Sequence, residues 1–351
     1  MRQAFEPTVR VSAARAAGAR TNGSRHRPTR DGRTNQWFYN RDVTAPRTDA
    51  LSSDSIRRAQ TVINPVFLRS PFYRAESISA ALGCNVLLKI ETLNPIRCFK
   101  GRGADYFMSS TPEERFVCAS AGNFAQGVAY AARERGRSVI AFVPAGTAAN
   151  RIARLRRLGA DVRCEGSDYD DAKLRAKAYA AAAGLTFVED GVQPAISEGA
   201  GTIGLEITGS REKIDAVVVP LGGGALLAGV ARWFKDEAPQ VEVIGAASAA
   251  APAMALSWKA RTVITTDEAP TRAAGLAIRL PAKEAVSQIA ATADDVLLFD
   301  ESRLDNAIRM IRDETMLEVE PSGAAAVAVL MQHRERFQSR NVAVIITGAN
   351  P

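Results

Sequence analysis

The stretch Asn94–Ala104, NPIRCFKGRGA, sets a single lysine, Lys100, between the aromatic Phe99 and two glycines, Gly101 and Gly103. That places the amine on a short turn opening a helix, within reach of a pocket. Desolvation and a neighbouring cation such as Arg102 disfavour the charged form of an amine and free it as a nucleophile towards an aldehyde. The chemistry is that of a Schiff-base lysine, although a solvated lysine on a glycine-rich turn has the same local sequence. Further along, Leu221-Gly222-Gly223-Gly224-Ala225-Leu226 follows the apolar run DAVVVP and precedes a helical pattern. Consecutive glycines let backbone amides converge, and a helix N-terminus adds a favourable field, so the loop suits a phosphate; a plain strand-to-helix turn reads the same way. The loop Ser120-Ala121-Gly122-Asn123 also joins a strand to a helix, which makes it either a second anion site or a capping loop.

These stretches need elements to hold them. A helix is expected from about Asp54, capped by Ser53 or Asp54, with Ile56, Ala59, Val62 and Ile63 on its apolar face and Pro65 ending it. The apolar run Asn85–Glu91, NVLLKIE, then delivers the chain to Lys100. From about Phe116 to Asp190 short β runs alternate with helices: RFVCAS then Gln126–Arg135, SVIAFVP then Ala149–Leu158, DVRCEG then Tyr169–Ala183, and LTFVED. Strands separated by helical patterns imply βαβ units in a parallel sheet. Three more buried-strand patterns follow, in DAVVVPLG, VEVIGAAS and VAVIITGA. The expected architecture is α/β, with two open, mainly parallel twisted sheets in two domains. Residues 51–111 and 193–351 would form the large cofactor-binding domain, and residues 112–192 a small mobile one.

A chain of 351 residues with 46% hydrophobic content can bury a substantial core. Its formal net charge of +7 comes partly from residues 1–50, rich in arginine and nearly free of acids, where composition without apolar periodicity predicts disorder. A solvated tail is the favoured reading there, with an organelle-targeting peptide or a nucleic-acid-binding arm as alternatives. No aromatic interleaving supports nucleic acid as a partner. No apolar run of about eighteen residues and no apolar-centred signal peptide occurs, so no membrane partner is expected and the cytoplasm is the default compartment. Cys84, Cys98, Cys118 and Cys164 lack CxxC spacing, which favours structural thiols over zinc. The two histidines, His26 and His333, sit in no motif and leave little for histidine catalysis or a histidine-bound metal.

Taken in order, NPIRCFKGRGA, SAGNFAQGVA (Ser120–Ala129), PLGGGALLAG (Pro220–Gly229) and ITGAN (Ile346–Asn350) resemble the motifs of the fold-type II pyridoxal-phosphate (PLP) enzymes, most of all the threonine/serine dehydratases. EGAGTIGLE (Glu198–Glu206) and EPSGAAA (Glu320–Ala326) extend the resemblance, which runs from about Asp54 to the C-terminus. It implies a tryptophan synthase beta-like fold with PLP in the cleft between two domains, assembled as a homodimer or tetramer. The implied activity is conversion of threonine or serine to a 2-oxo acid and ammonia by β-elimination. Alternatives within the resemblance are β-replacement of the cysteine synthase type and dehydration of an acidic substrate such as hydroxyaspartate. A reading of another class is a basic nucleic-acid-binding protein with a degenerate enzyme core. The joint survival of Lys100, Asn123, the glycine loop and Thr347 counts against it.

The resemblance also implies roles. Lys100, beside Phe99, would hold the cofactor and, once released, remove the substrate's Cα proton. Gly222, Gly223, Gly224, Ala225 and Leu226 would bind the phosphate, which would in turn assist departure of the β-hydroxyl; Ala225 replaces the family's usual fourth glycine. Asn123 would hydrogen-bond the phenolic oxygen, while Ser120, Ala121, Gly122 and Asn123 hold the substrate carboxylate. Thr347 aligns with the serine or cysteine that faces the pyridine nitrogen, a neutral partner suited to prompt elimination. Glu320 either faces the cofactor edge or caps a helix. Ala121 stands where serine racemases carry a second proton-transfer serine, which argues against racemisation, and Phe124 replaces the family's usual histidine. IGAASAAA (Ile244–Ala251) and Ala274 lack acids that relatives often carry there, so no metal is expected. The chain stops soon after ITGAN, so the appended regulatory domain of some biosynthetic threonine dehydratases is not expected either.

Overall fold

Two sheets organise residues Leu51–Asn350, the part of the chain that the computed structural model describes. The arginine-rich stretch 1–50, with its expected tail, lies outside the described residues. The larger sheet has the order β1 (Phe72–Arg74), β2 (Asn85–Ile90), β10 (Asn341–Ile346), β7 (Ala216–Pro220), β8 (Glu242–Ser248), β9 (Asp295–Phe299). It is parallel except for β1, which runs antiparallel to β2. The smaller sheet, β5 (Asp161–Cys164), β4 (Ser138–Val143), β3 (Arg115–Ala119), β6 (Thr186–Val188), is parallel throughout. The α/β class with two mainly parallel sheets is as expected. The edge strands β1 and β9 are additions to the sequence reading, and most of their residues are only half-buried or exposed.

The central strands are buried on both faces, and their period-2 alternation sorts side chains into two layers. Val342, Val344 and Ile346 of β10, with Ala216 and Val218 of β7, face a core roofed by the helix Pro321–Gln332. Ala343 and Ile345, with Val217 and Val219, face the other, roofed by the helices Pro194–Thr208 and Ala225–Glu237. Those two helices touch at Gly229, where an added Cβ would lie 1.8 Å from the Ser197 carbonyl oxygen, so only glycine permits the crossing. One face of the smaller sheet closes a core of its own, Val117, Ala119, Ile140 and Phe142 against Ala176 and Ala180 of the helix Tyr169–Ala183; the other face does not. Phe116, Cys118 and Val128 pack with Ala104, Phe107 and Met108 of the helix Lys100–Ser109, and with Ile196 and Ala225. Both sheets therefore belong to one compact unit.

Two local expectations change. The first helix, Ser53–Val62, is capped by Ser52, whose Oγ accepts the Ser55 N–H at 3.1 Å, and Val62 is exposed on it. The helix expected from Gln126 begins at Asn123, immediately after Gly122, because the chain turns into it at the glycine.

Arg102 departs further. It does not stand as an activating cation for Lys100 but turns inward, fully buried, with its guanidinium bonded to Glu91 Oε1 and Oε2 (both 2.8 Å), Glu206 Oε1 (2.8 Å) and Oε2 (3.0 Å), and Thr202 Oγ1 (3.0 Å). Two carboxylates exceed its single charge, and a second cation restores the balance. Lys89, also buried, completes the cluster on Glu206. Burial alone would push the Glu206 carboxyl up, but the hydrogen bonds and charge of Arg102, with Lys89, outweigh it and hold the group at about 2. The cluster ties β2 and the helices Lys100–Ser109 and Pro194–Thr208 together beneath the lysine.

Candidate active site

Lys100 is the first residue of its helix. Its Nζ lies 2.6 Å from Asp190 Oδ2, with the Phe99 ring centroid at 4.6 Å and that of Phe124 at 5.8 Å. Two aromatic faces and one carboxylate thus restrain a half-buried amine. The turn before it is held by the end of β10: the Phe99 N–H donates to the Thr347 carbonyl at 3.0 Å, and Cys98 bridges to Gly348. Thr347 itself is buried, its Oγ1 3.5 Å from the Ser322 carbonyl oxygen.

The glycine loop runs from the end of β7 into the helix Ala225–Glu237. Gly224 has φ +97, a left-handed conformation that glycine adopts without strain, and a Cβ on Gly222 would lie 2.0 Å from the Gly275 carbonyl oxygen. A Cβ on Gly223 would meet Asp190 Oδ2 at 2.7 Å, so the loop passes against the carboxylate that holds Lys100. Ala225 is already the first helical residue, where φ is negative, and a fourth glycine is unnecessary. Leu226 is buried in the core behind it. The first-turn amides of this helix have no intrahelical partner and are available to an anion.

Asn123 opens the neighbouring helix. Its Nδ2 donates to Glu320 Oε1 at 2.8 Å, and its Oδ1 accepts from Asn350 Nδ2 at 2.7 Å. Glu320 Oε2 accepts the Asn350 N–H at 3.0 Å. Of the two readings for Glu320, its side chain therefore does not cap its own helix; it braces Asn123. Burial pushes the Glu320 carboxyl up, opposed by the hydrogen bonds from Asn350 and Asn123. Ser120 Oγ accepts the Gly122 N–H at 3.1 Å, which turns that amide towards the serine and leaves the hydroxyl proton free to be donated. Ala121 is half-buried against the small-sheet core.

Lys100, Phe99, Thr347 and Gly222–Gly224 are thus joined by direct contacts or through Asp190, while Asn123 is tied to the same C-terminal segment by Glu320 and Asn350. Sequence reasoning passed over Asp190, Gly275, Ser322 and Asn350. A signal for Asp190 was available: it follows strand β6 and precedes a glycine, and the carboxyl ends of parallel strands are where α/β proteins bind ligands. The thiols of Cys98 and Cys118 are fully buried, and burial pushes both up to about 12, so neither competes as a nucleophile.

Residues 63–348 match the family described as pyridoxal-phosphate dependent enzyme. The chain belongs to that family. It is 34% identical over 292 residues to threonine dehydratase 1 biosynthetic, chloroplastic, of Solanum lycopersicum, an alignment spanning 81% of this chain and 48% of that protein. The chain spans about half the length of such plant relatives. Among solved structures, the processed form of threonine deaminase isoform 2 from Solanum lycopersicum superposes with a TM-score of 0.80 at 32% identity, covering 86% of each chain. Maize serine racemase superposes with a TM-score of 0.80 at 27% identity, covering 86% of this chain and 96% of its own. The residues fit the family's cofactor: an amine for its aldehyde, and at a helix N-terminus a loop whose glycines leave room that a Cβ would fill. Replacing Gly222 by alanine drives a Cβ into the Gly275 backbone. Titration of Gly222→Ala with PLP, followed by visible absorbance, is expected to show binding weakened at least about tenfold, or about 1.4 kcal/mol. Unchanged affinity would mean the loop does not hold the phosphate.

Proposed function

We propose that this protein is a PLP-dependent ammonia-lyase that converts threonine or serine to a 2-oxo acid and ammonia by β-elimination. The observation that carries the reading is the Lys100 amine, held by two aromatic rings and Asp190 against the glycine loop. The bound cofactor supplies an electron sink that makes the substrate's Cα proton removable. Lys100 holds the cofactor and, when freed, takes that proton at Nζ. The amides of Gly222, Gly223, Gly224, Ala225 and Leu226 hold the phosphate. Thr347 presents a neutral hydroxyl to the ring nitrogen, and Asn123 Nδ2 keeps a second N–H, beyond the one given to Glu320, for the phenolic oxygen. Ser120 and the start of the helix Asn123–Glu134 bind the substrate carboxylate. Ala121 offers no second proton-transfer group, which supports elimination over racemisation.

The names of the threonine dehydratase and deaminase relatives support threonine as substrate. Residues 112–192 act as the smaller, mobile domain, a division supported by their separate sheet. No helix among the described residues is long and apolar enough to cross a membrane, and the default location is the cytoplasm. Light scattering separates the homodimer from the tetramer. The decisive assay is 2-oxo acid release from L-threonine, L-serine and 3-hydroxyaspartate by cofactor-loaded protein. Threonine or serine is expected to turn over at about 1 s⁻¹ or faster. Release from none of the three overturns the reading.

A further inference from the structure

We propose that the ion pair between Asp170 and Arg279 is a latch across the mouth of the cleft, which holds the smaller sheet closed over Lys100 and lets it open for substrate and product. The inference rests on the lyase reading above and on its mobile smaller domain, and it names the contact that governs the opening.

Both partners stand at the rim of the site. In the parallel smaller sheet the loop 120–123 follows the carboxyl end of β3, Asp190 follows that of β6, and the helix Tyr169–Ala183 follows that of β5, so all three lie along one edge. The acids at the start of that helix have different tasks. Asp168 caps it by accepting the Asp171 N–H at 2.9 Å, and Asp171 accepts from Ser167 and Arg175. Asp170 instead reaches out of the smaller unit and accepts a hydrogen bond from Arg279 Nη2. Arg279 belongs to the larger sheet's side. Its carbonyl accepts the Thr266 N–H at 3.1 Å and its Nη1 donates to the Asp267 carbonyl at 3.2 Å. Just upstream, the Gly275 carbonyl lies against Gly222 of the glycine loop. The pair therefore runs from the smaller sheet's edge to the segment that backs the phosphate loop.

Its position and its strength both suit a reversible contact. Among the described residues, the other ion pairs of residues 112–192 stay within them or reach residues 51–111. Elsewhere the two units meet through apolar packing, Ile196 and Ala225 against the smaller sheet's core, which screening by salt leaves intact. The Arg279 side chain is 38% exposed and that of Asp170 23%. Pairs so open to water are individually weak and are screened by salt, so this one can be made and broken at little cost. Arg102, fully buried between Glu91 and Glu206, is the opposite case and fixes its elements permanently.

Access of a small reagent to Lys100 measures the latch without turnover. Hydroxylamine displaces the lysine from the cofactor's aldehyde and discharges the visible absorbance, so its rate in the cofactor-loaded protein reports how often the mouth is open. In Arg279→Gln at low salt that rate is expected to rise about two- to fivefold, the usual worth of such a pair. Raising salt to about 0.5 M should speed the parental protein by a similar factor and leave the variant unchanged. The charge exchange Asp170→Arg with Arg279→Asp should return both the slow rate and its salt dependence, whereas Asp170→Arg alone should open the mouth further. An Arg279→Gln rate equal to the parental one, or a parental rate indifferent to salt, overturns the proposal. A folded charge-exchanged protein as open as the single variants overturns it too, because the two residues then act separately. A parental protein that takes up no cofactor is a failure of the lyase reading. The latch is then read from amide hydrogen exchange at residues 169–172 and 276–280 of the cofactor-free chain, which Arg279→Gln should speed by a similar factor; equal exchange in the two proteins overturns it.

Discussion

Replacing Lys100 by alanine is expected to remove the visible absorbance of the cofactor-loaded protein and to reduce 2-oxo acid release to background. Among the described residues, no other lysine near the site is free to take over. Lys89 is the other buried lysine nearby in sequence, but its Nζ is committed to the Ser70 carbonyl at 2.7 Å and to Glu206, inside the cluster beneath the site. Lys173 and Lys177 are engaged by Glu189. Alanine also leaves Asp190 without its cation, so Lys100→Arg is the companion variant: it keeps a positive partner for the carboxylate but has no amine that condenses with an aldehyde. Both variants should be inactive, and the arginine form should denature closer to the parental protein. A Lys100→Ala protein that still yields borohydride-trapped cofactor on another lysine would falsify the assignment.

A second large effect is expected from Glu206→Gln, at a position that never touches the substrate. The glutamine leaves Arg102 and Lys89 short of one buried anion, and breaking a buried pair from one side costs about 3–5 kcal/mol. The carboxyl's displacement from 4.5 to about 2 independently corresponds to about 3 kcal/mol. Glu206 is depressed in the folded protein, so its contribution is fully present above the unfolded value and is lost as pH falls through the folded one. Urea unfolding of the parental protein should therefore show stability declining between about pH 4.5 and pH 2, with this component missing in Glu206→Gln. Burial pushes the Lys89 ammonium down despite both neighbouring carboxylates, which identifies it as the costly member of the cluster. An acid profile that superposes for the two proteins would show that Arg102 and Glu206 are not paired in solution.

The amino-acid sequence alone determined the two-sheet α/β class, the strand-to-helix glycine loop and the lysine proposed to carry the chemistry. Those features are written in short-range spacing: apolar runs of strand length, three consecutive glycines between a strand and a helix, and motifs whose order survives without reference to contacts. Ala225, a departure from the family's glycine, is accommodated because it is the first residue of the helix and needs no left-handed φ.

What only the tertiary structure decided is where the charges point. Lys100 and Asp190 are 90 residues apart, Asn123 and Glu320 are 197, and no local pattern says that the members of either pair meet. Arg102 shows the reason most plainly. Its neighbours in sequence placed it beside the lysine, yet two residues along a helix turn a side chain by about 200°, and burial then demanded carboxylates, which Glu91 and Glu206 supply from just beyond a strand and from a distant helix. The direction and partner of an ionisable group depend on which elements pack around it, and that is settled by how helices and strands distant in sequence come together rather than by the residues on either side.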